Sequence, residues 1–350
     1  MIEIKNVAPS LEAKVQFLSR TDAYPGYDGR VEARETHMSW VFLTTDKVYK
    51  LKKPVRLPYL DFSTLERRET ALRAELAINR KLAPGIYLDV VPLTGSAGRL
   101  AIGGPGAAMD WLLVMQRLDE HDMLDRAIAE KRLRSADLDR LVARLVEFYR
   151  HARPVFVSPE IHLAARRQIL AYDYAVLRDA RFSLPPGLME RLFHVQRRFL
   201  RERKVLFERR VRGHHIIDGH GDLRPEHIWL GRPIRIIDRL EFDPHLRWVD
   251  PFDEAAYLSL ECERLGAAWA GARIKHGLLR ALPNGPSEQL FTFYRCRRAT
   301  LRARLAIAHL LEPDGRTPER WRPRALDYLN LALADAKRLE RFLREPSKRR

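Results

Sequence analysis

Apolar and polar positions alternate in two ways along this chain, and the change from one to the other divides it. Residues 9–19 (PSLEAKVQFLS) carry apolar side chains at helical spacing, and a Pro/Gly loop follows at 25–29. A hairpin pattern comes next: MSWVFLT (38–44), a polar turn at Thr45-Asp46, and KVYKLKK (47–53). Lys50 and Lys52 stand two positions apart, so they share one face of the second strand. Pro54 and Pro58 end it. Residues 63–82 predict a helix, with Ser63 or Thr64 as its cap and Glu66 at the capping-box position relative to Ser63. Strand patterns return at 87–93 and 111–118, around a Gly-rich turn at 102–106. Beyond Leu118 the spacing is helical over 122–153, 158–181 and 187–208, with Ser135 and Asp137 as start signals. A β-rich island interrupts at 214–242. Helical spacing then runs from 251 to about 343, broken at 282–287 and 312–323, and the basic tail 345–350 reads as frayed. There is no internal repeat.

Composition narrows the possibilities. The chain has 350 residues, 46% of them hydrophobic and 31% charged, which is globular and long enough for two lobes or domains. Its two cysteines, Cys262 and Cys296, exclude a disulfide framework and a four-thiolate zinc site, and fit a reducing compartment. No apolar run approaches the roughly 18–20 residues of a membrane span. The opening MIEIKNVAPSLEAK has no apolar signal core, so a cytoplasmic location is expected. The formal net charge of +17 would attract nucleic acid, an anionic surface or an acidic metabolite. Arginine supplies most of that charge, yet Lys47, Lys50, Lys52 and Lys53 crowd into seven positions. A lysine cluster in an arginine-rich chain suggests a place that needs a compact ammonium. No zinc-finger, RNA-recognition or basic-zipper signature accompanies the charge, so no specific nucleic-acid partner is expected.

Chemistry concentrates in the island. Asp222 and Asp238 emerge at loop or strand ends, with His220, Glu226 and His227 around them, and a Gly-Arg turn leads into PIRIID. Two acids delivered by such a unit suit a base toward a hydroxyl and a ligand for a divalent cation.

His220-Gly221-Asp222-Leu223-Arg224-Pro225-Glu226-His227-Ile228 resembles the HGDxxxxNI catalytic loop of the aminoglycoside phosphotransferase-like small-molecule kinases, and Ile236-Ile237-Asp238 resembles their metal-binding segment. The likeness continues through Glu35-Thr36-His37-Met38-Ser39, Tyr49-Lys50-Leu51-Lys52-Lys53-Pro54, Leu60-Asp61-Phe62-Ser63-Thr64-Leu65-Glu66 and Leu82-Ala83-Pro84, and spans about residues 10–310. These segments resemble a branch often fused to a P-loop ATPase domain. The chain has no GxxxxGK[ST], so the kinase-like part alone is expected.

The resemblance implies an α+β, protein-kinase-like two-lobed fold forming one kinase-like unit: a β-rich N-lobe at 1–118 and a helical C-lobe at 119–350, with a catalytic loop at 218–243 and ATP in the cleft. It implies transfer of the γ-phosphate of ATP to a hydroxyl of a small molecule. Asp222, with His220 of the same motif, is the implied catalytic group, acting mainly by positioning. Asp238 is the implied Mg²⁺ ligand. Lys50, matching the family's Val/Ala-x-Lys as Val48-Tyr49-Lys50, would contact the α/β-phosphates, with Lys52 as the substitute and Glu75 as its partner. Met115, Gln116 and Leu118 would form the adenine-binding hinge. Glu254 would brace the catalytic loop, and Tyr294, Arg295 and Arg298 would lie on the substrate side.

Two departures stand out. His227 occupies the place of the family's metal-binding Asn and follows Glu226; imidazole suits Mn²⁺ better than Mg²⁺, and Glu226 is a candidate for the missing oxygen ligand. No GxGxxG precedes the lysine strand, so the Thr36 and Ser39 hydroxyls are the candidate phosphate donors. Both raise a second reading, a nucleotide-binding pseudokinase or regulatory binder. The arginine-rich C-terminal half favours a neutral or anionic acceptor over a cationic one. No membrane partner is expected.

Overall fold

The computed structural model describes residues 9–57, 60–96, 98–311 and 318–345. Pro58, residues 312–317 of the expected break, the tail 346–350 and the first eight residues lie outside them. Along the chain run α1 (Leu11–Leu18), β1 (Glu32–Glu35), β2 (Ser39–Leu43), β3 (Lys47–Lys52), β4 (Arg56–Leu57), β5 (Leu60–Asp61), α2 (Leu65–Asn79), β6 (Tyr87–Ser96), β7 (Arg99–Ile102) and β8 (Ala107–Gln116). Then come α3 (Leu124–Ala129), α4 (Ser135–His151), α5 (Pro159–Leu177), α6 (Pro186–Glu202), α7 (Lys204–Arg212), β9 (Ile217–Asp218), β10 (Ile228–Trp229), β11 (Arg235–Ile236) and β12 (Trp248–Val249). The last helices are α8 (Pro251–Arg264), α9 (Ala268–Ala281), α10 (Glu288–Ala308) and α11 (Pro318–Arg344).

Two compact units result. The first comprises the described part of Met1–Met123 together with His227–His245; the second comprises Leu124–Glu226 and the described part of Leu246–Arg350. The boundary thus falls at Met123 rather than Leu118. The β10–β11 ribbon and Asp238, expected with the helical part, cluster with the sheet.

The sheet unit is built on six antiparallel strands in the order β1-β2-β3-β8-β6-β7. Its period-2 pattern sorts side chains to two faces. Leu51, Leu112, Phe42 and Leu93 pack with Leu18 of α1 on one face. Leu113 and Val90 pack with Leu72 and Leu76 of α2 on the other. Lys50 pairs with Leu113 in register, so Lys50 and Lys52 point to the α2 face. Thr64, not Ser63, caps α2: its hydroxyl accepts the Arg67 amide at 3.3 Å, while Ser63 Oγ donates to Asp61 at 2.6 Å. A buried carboxylate fastens both helices to the sheet. Asp110 of β8 receives Lys14 Nζ of α1 at 2.7 Å and Arg68 of α2 in a two-bond fork at 2.8 and 3.0 Å.

In the helical unit, α8 is buried along Pro251–Cys262, charged residues included. Every acid on it must therefore find a partner. Two of the expected long helices are divided. Residues 187–208 fall in α6 and α7, parted at Arg203, whose φ of −116° and ψ of 25° leave the helical region. Residues 122–153 fall in α3 and α4, where Asp137, not Ser135, closes the cap by accepting the Arg134 amide at 3.1 Å. Cys262 and Cys296 are free, buried thiols, and burial pushes Cys262 up to about 12.

Candidate active site

The sheet unit assembles a chain of alternating charges. Lys50 Nζ donates to Glu75 Oε1 at 2.7 Å, and Lys52 Nζ donates to Glu75 Oε2 at 2.9 Å and to Glu241 Oε1 at 2.6 Å. At the other end, Lys50 Nζ lies 3.5 Å from Asp238 Oδ1, and His227 Nε2 lies 3.4 Å from Asp238 Oδ2. The order Glu241–Lys52–Glu75–Lys50–Asp238 follows from strand geometry: one α2 glutamate faces two lysines of a single strand face. The two lysines differ in access. The Lys52 side chain is 2% exposed and its ammonium sits 4.6 Å from the Phe62 ring centre, whereas the Lys50 side chain is 17% exposed. Burial alone would raise the Glu75 carboxyl, but Lys50 and Lys52 hold it below its ordinary value. Burial would likewise lower Lys50; Glu75, Asp238 and Glu241 outweigh it and hold the ammonium well above its usual range.

Asp238 has a φ of +59°, the left-handed region that a non-glycine residue seldom enters. Its neighbours hold it there. The Asp238 amide donates to Tyr87 Oη at 2.9 Å and the Arg239 amide to Asn79 Oδ1 at 2.9 Å. The Asp238 side chain is about half exposed, at 49%. A half-exposed carboxylate beside one imidazole fits a divalent ion that takes its other ligands from phosphates and water. Asp238 and His227 would hold that ion. Among the described residues, no group of three or more His, Cys, Asp or Glu side chains is arranged to cage a metal by itself.

The other sheet-unit expectations fare unevenly. Thr36 Oγ1 donates to the Ser39 carbonyl at 2.8 Å and accepts the Ser39 amide at 3.0 Å, and Ser39 itself is buried. Both residues close the β1–β2 turn, because this hydroxyl bonding replaces glycine as the device that tightens it. Met115 and Gln116 end β8, opposite Val48 and Lys47, and Leu118 follows the strand. The Gln116 amide is taken by Ile86 O at 2.7 Å.

The helical unit holds the HGD segment from behind. Gly219 has no room for a side chain, since a Cβ there would lie 2.5 Å from Val249. Gly221, at φ +90°, turns its amide onto Glu254 Oε1 at 2.6 Å, and Tyr149 donates to Glu254 Oε2 at 3.1 Å. His220 is fully buried, and its Nδ1 accepts the Asp222 amide at 3.2 Å. The Asp222 carboxylate receives Tyr257 Oη on Oδ1 at 2.9 Å and Arg224 Nε on Oδ2 at 2.9 Å. Arg224 also donates to Glu226 Oε1 at 2.5 Å. Glu226 thus balances a guanidinium, which competes with the metal-ligand role expected of it.

The expected substrate-side residues serve the interior of the helical unit. Tyr294 is fully buried and donates to Asp250 at 3.1 Å. Arg295 pairs with Glu263 at 2.6 Å and Asp335 at 3.1 Å. Arg298 pairs with Asp253 at 2.7 Å and reaches the Gly221 carbonyl at 3.4 Å. They tie α10 to α8, α11 and the HGD segment. Sequence reasoning missed Tyr87, Tyr257 and Glu241. A buried Tyr at i+3 from Glu254 was the one available signal, since both lie on a single helix face.

No family model matches the sequence. Uncharacterised proteins of Mycobacterium tuberculosis and Mycobacterium bovis are 31% identical over 291 residues, 81% of this chain and 56% of theirs. The chain therefore spans about half the length of the curated relatives it matches. Among solved structures, a choline kinase from Cryptosporidium parvum is similar with a TM-score of 0.57 at 9% identity, over 95% of this chain and 97% of the other. An aminoglycoside phosphotransferase, in a thermostable mutant form, is similar with a TM-score of 0.54 at 10% identity, over 93% and 98%. No helix among the described residues is long and apolar enough to cross a membrane. With its antiparallel sheet unit and its mainly helical unit, the chain has the protein-kinase-like fold of the aminoglycoside phosphotransferase-like small-molecule kinases.

Proposed function

We propose that this chain transfers the γ-phosphate of ATP to a hydroxyl of a neutral or anionic small molecule. The observation that carries the reading is Lys50, held between Glu75 at 2.7 Å and the half-exposed Asp238 at 3.5 Å. A lysine fixed by a buried glutamate beside a metal-competent carboxylate suits the phosphates of a nucleotide. Lys50, not Lys52, is the phosphate contact, because Lys52 is enclosed by two carboxylates and a ring. Asp238, with His227, holds Mg²⁺ or Mn²⁺, which neutralises phosphate charge. Met115, Gln116 and Leu118 supply the adenine edge. Asp222 orients the acceptor: its oxygen bonds to the γ-phosphorus, the bond to the β,γ-bridging oxygen breaks, ADP leaves, and the acceptor's proton passes to Asp222. A cytoplasmic location supplies the ATP.

The test is a mass-spectrometric screen of hydroxyl acceptors with ATP and Mg²⁺ or Mn²⁺, for wild type and Asp222→Ala. Product formed by the wild type alone supports the reading. Equal rates for both proteins across the panel overturn it.

A second reading, a nucleotide-binding regulator with little catalysis, draws on His227 in place of the amide and on Asp222, whose two oxygens both accept hydrogen bonds. It predicts micromolar nucleotide binding by calorimetry, unchanged by Asp222→Ala, and no phosphorylated product.

A further inference from the structure

Helix α8 carries Glu254, Tyr257 and Glu261 on one face, at i, i+3 and i+7. Glu254 accepts the Gly221 amide, Glu261 accepts Tyr328 Oη at 2.7 Å and Arg302 at 3.0 Å, and Tyr257 meets the Asp222 carboxylate. The face that fixes the backbone of the HGD segment therefore also fixes its aspartate side chain.

We infer that Tyr257 is the positioning residue that aims Asp222 at the acceptor hydroxyl, an inference that rests on the proposed phosphotransfer. Two of the groups holding Asp222, Tyr257 and Arg224, are unlike. Tyr257 is 1% exposed and has two side-chain torsions, both packed. Arg224 is long and divides its donors between Asp222 and Glu226. Tyr257 is thus the fixed reference and Arg224 the adjustable partner. Without the phenol, the carboxylate would turn to take both donors of the Arg224 fork, which is the preferred geometry of that pair. Burial holds the Tyr257 hydroxyl well above its ordinary pKa, so it stays a donor across the working pH range. The Arg298 guanidinium lies 4.9 Å from its ring centre, and also takes hold of the Gly221 carbonyl. Among the charged and titratable groups that bear on Asp222 in this unit are Arg224 from its own segment, Tyr257 from α8 and Arg302 from α10; His220 accepts its amide, Glu226 acts through Arg224, and Glu254 and Arg298 hold the neighbouring Gly221.

Two substitutions in opposite senses test this. Tyr257→Phe is expected to lower kcat about 10–100-fold with KM for ATP within about 2-fold of wild type. Loss of a donor to the ionised carboxylate raises its pKa, so the acid limb of the kcat profile moves to higher pH. With 3-fluorotyrosine placed at position 257, the more acidic phenol is a stronger donor of the same shape, and the limb moves to lower pH. Unchanged kcat and an unmoved limb in both proteins would overturn the inference, as would a rise in KM for ATP at constant kcat. The Asp222 carboxyl is also titrated directly by ¹³C NMR, assigned by difference from Asp222→Asn. An upward shift in Tyr257→Phe supports the positioning role, and no shift overturns it. If the wild type transfers no phosphate, the phosphotransfer reading fails while this NMR measurement still decides the contact.

Discussion

The sheet unit and the helical unit each hold an aspartate in place, and they use different cations to do it. In the sheet unit, two lysines of one strand share a single glutamate, and the alternating row ends at Asp238. An ammonium is compact enough to fit between two carboxylates on a strand face. In the helical unit, arginines do the joining. Arg224 bridges Asp222 and Glu226, Arg298 joins Asp253 to the Gly221 carbonyl, and Arg295 joins Glu263 to Asp335. A forked guanidinium can bond two elements at once, which suits a unit made of crossing helices. The two choices give different failure modes. Removing a lysine strands one or two carboxylates; removing an arginine unlinks elements.

The strongest way to break the comparison is Asp222→Asn. It keeps the shape of the side chain and its hydrogen bond from Tyr257, yet cannot accept the acceptor's proton. Transfer should fall about 10³-fold or more, within the usual range for a catalytic carboxylate, with nucleotide affinity by calorimetry unchanged. A rate within tenfold of wild type would remove Asp222 from the chemistry.

Next in size are the two lysines, which should separate binding from stability. Lys50→Met should weaken nucleotide binding about 10–100-fold with a modest loss of stability. Lys52→Met leaves Glu241 and half of Glu75 buried without their cation, so it should cost about 3–5 kcal/mol in urea unfolding. The reverse pattern, stability lost at Lys50 and affinity lost at Lys52, would reassign the phosphate contact.

Asp110 offers a third test of lysine and arginine together. Asp110→Asn leaves Lys14 and Arg68 buried with a neutral acceptor, and a loss of about 3 kcal/mol is expected by denaturant titration. No loss would mean that α1 and α2 are held by their apolar contacts alone.

The last test is a pH dependence. His162 of α5 accepts Arg166 Nε at 2.8 Å, and burial followed by the Arg166 charge depresses its pKa to about 3. The unfolded chain then binds a proton that the folded chain refuses. Stability should fall as pH drops below about 6.5 and continue falling toward 3. His162→Gln keeps an acceptor for Arg166 and should flatten that slope in thermal melts between pH 4 and 7. An unchanged slope would assign the dependence to other groups.

How far the sequence disclosed this arrangement depends on how local each feature is. Lys50 and Lys52 follow from strand periodicity, and α2 from its apolar spacing. The HGD segment is legible as a motif. β1, whose residues Glu32–Glu35 are all exposed, shows no alternation that would mark a strand. The resemblance puts Tyr294, Arg295 and Arg298 on the substrate side. Here they are drawn inward by Asp250, Asp253, Glu263 and Asp335, acids that lie 32 to 45 positions away in sequence. A still longer separation hid Glu241, 189 positions from Lys52. Pairings of this range depend on tertiary packing that a one-dimensional pattern does not fix.

The backbone of Asp238 limits which side chains that position can bear. At φ +59° an Asn or Gly sits almost as easily as Asp, whereas Ala or Glu adds a penalty of about 1–2 kcal/mol before any change in function. Variation there reads in two independent channels. Asn keeps the turn and removes the charge; Gly keeps the turn and removes the ligand altogether. An alanine scan would merge both losses with a distorted turn, so Asn and Gly are the substitutions that separate ion binding from loop shape at this residue.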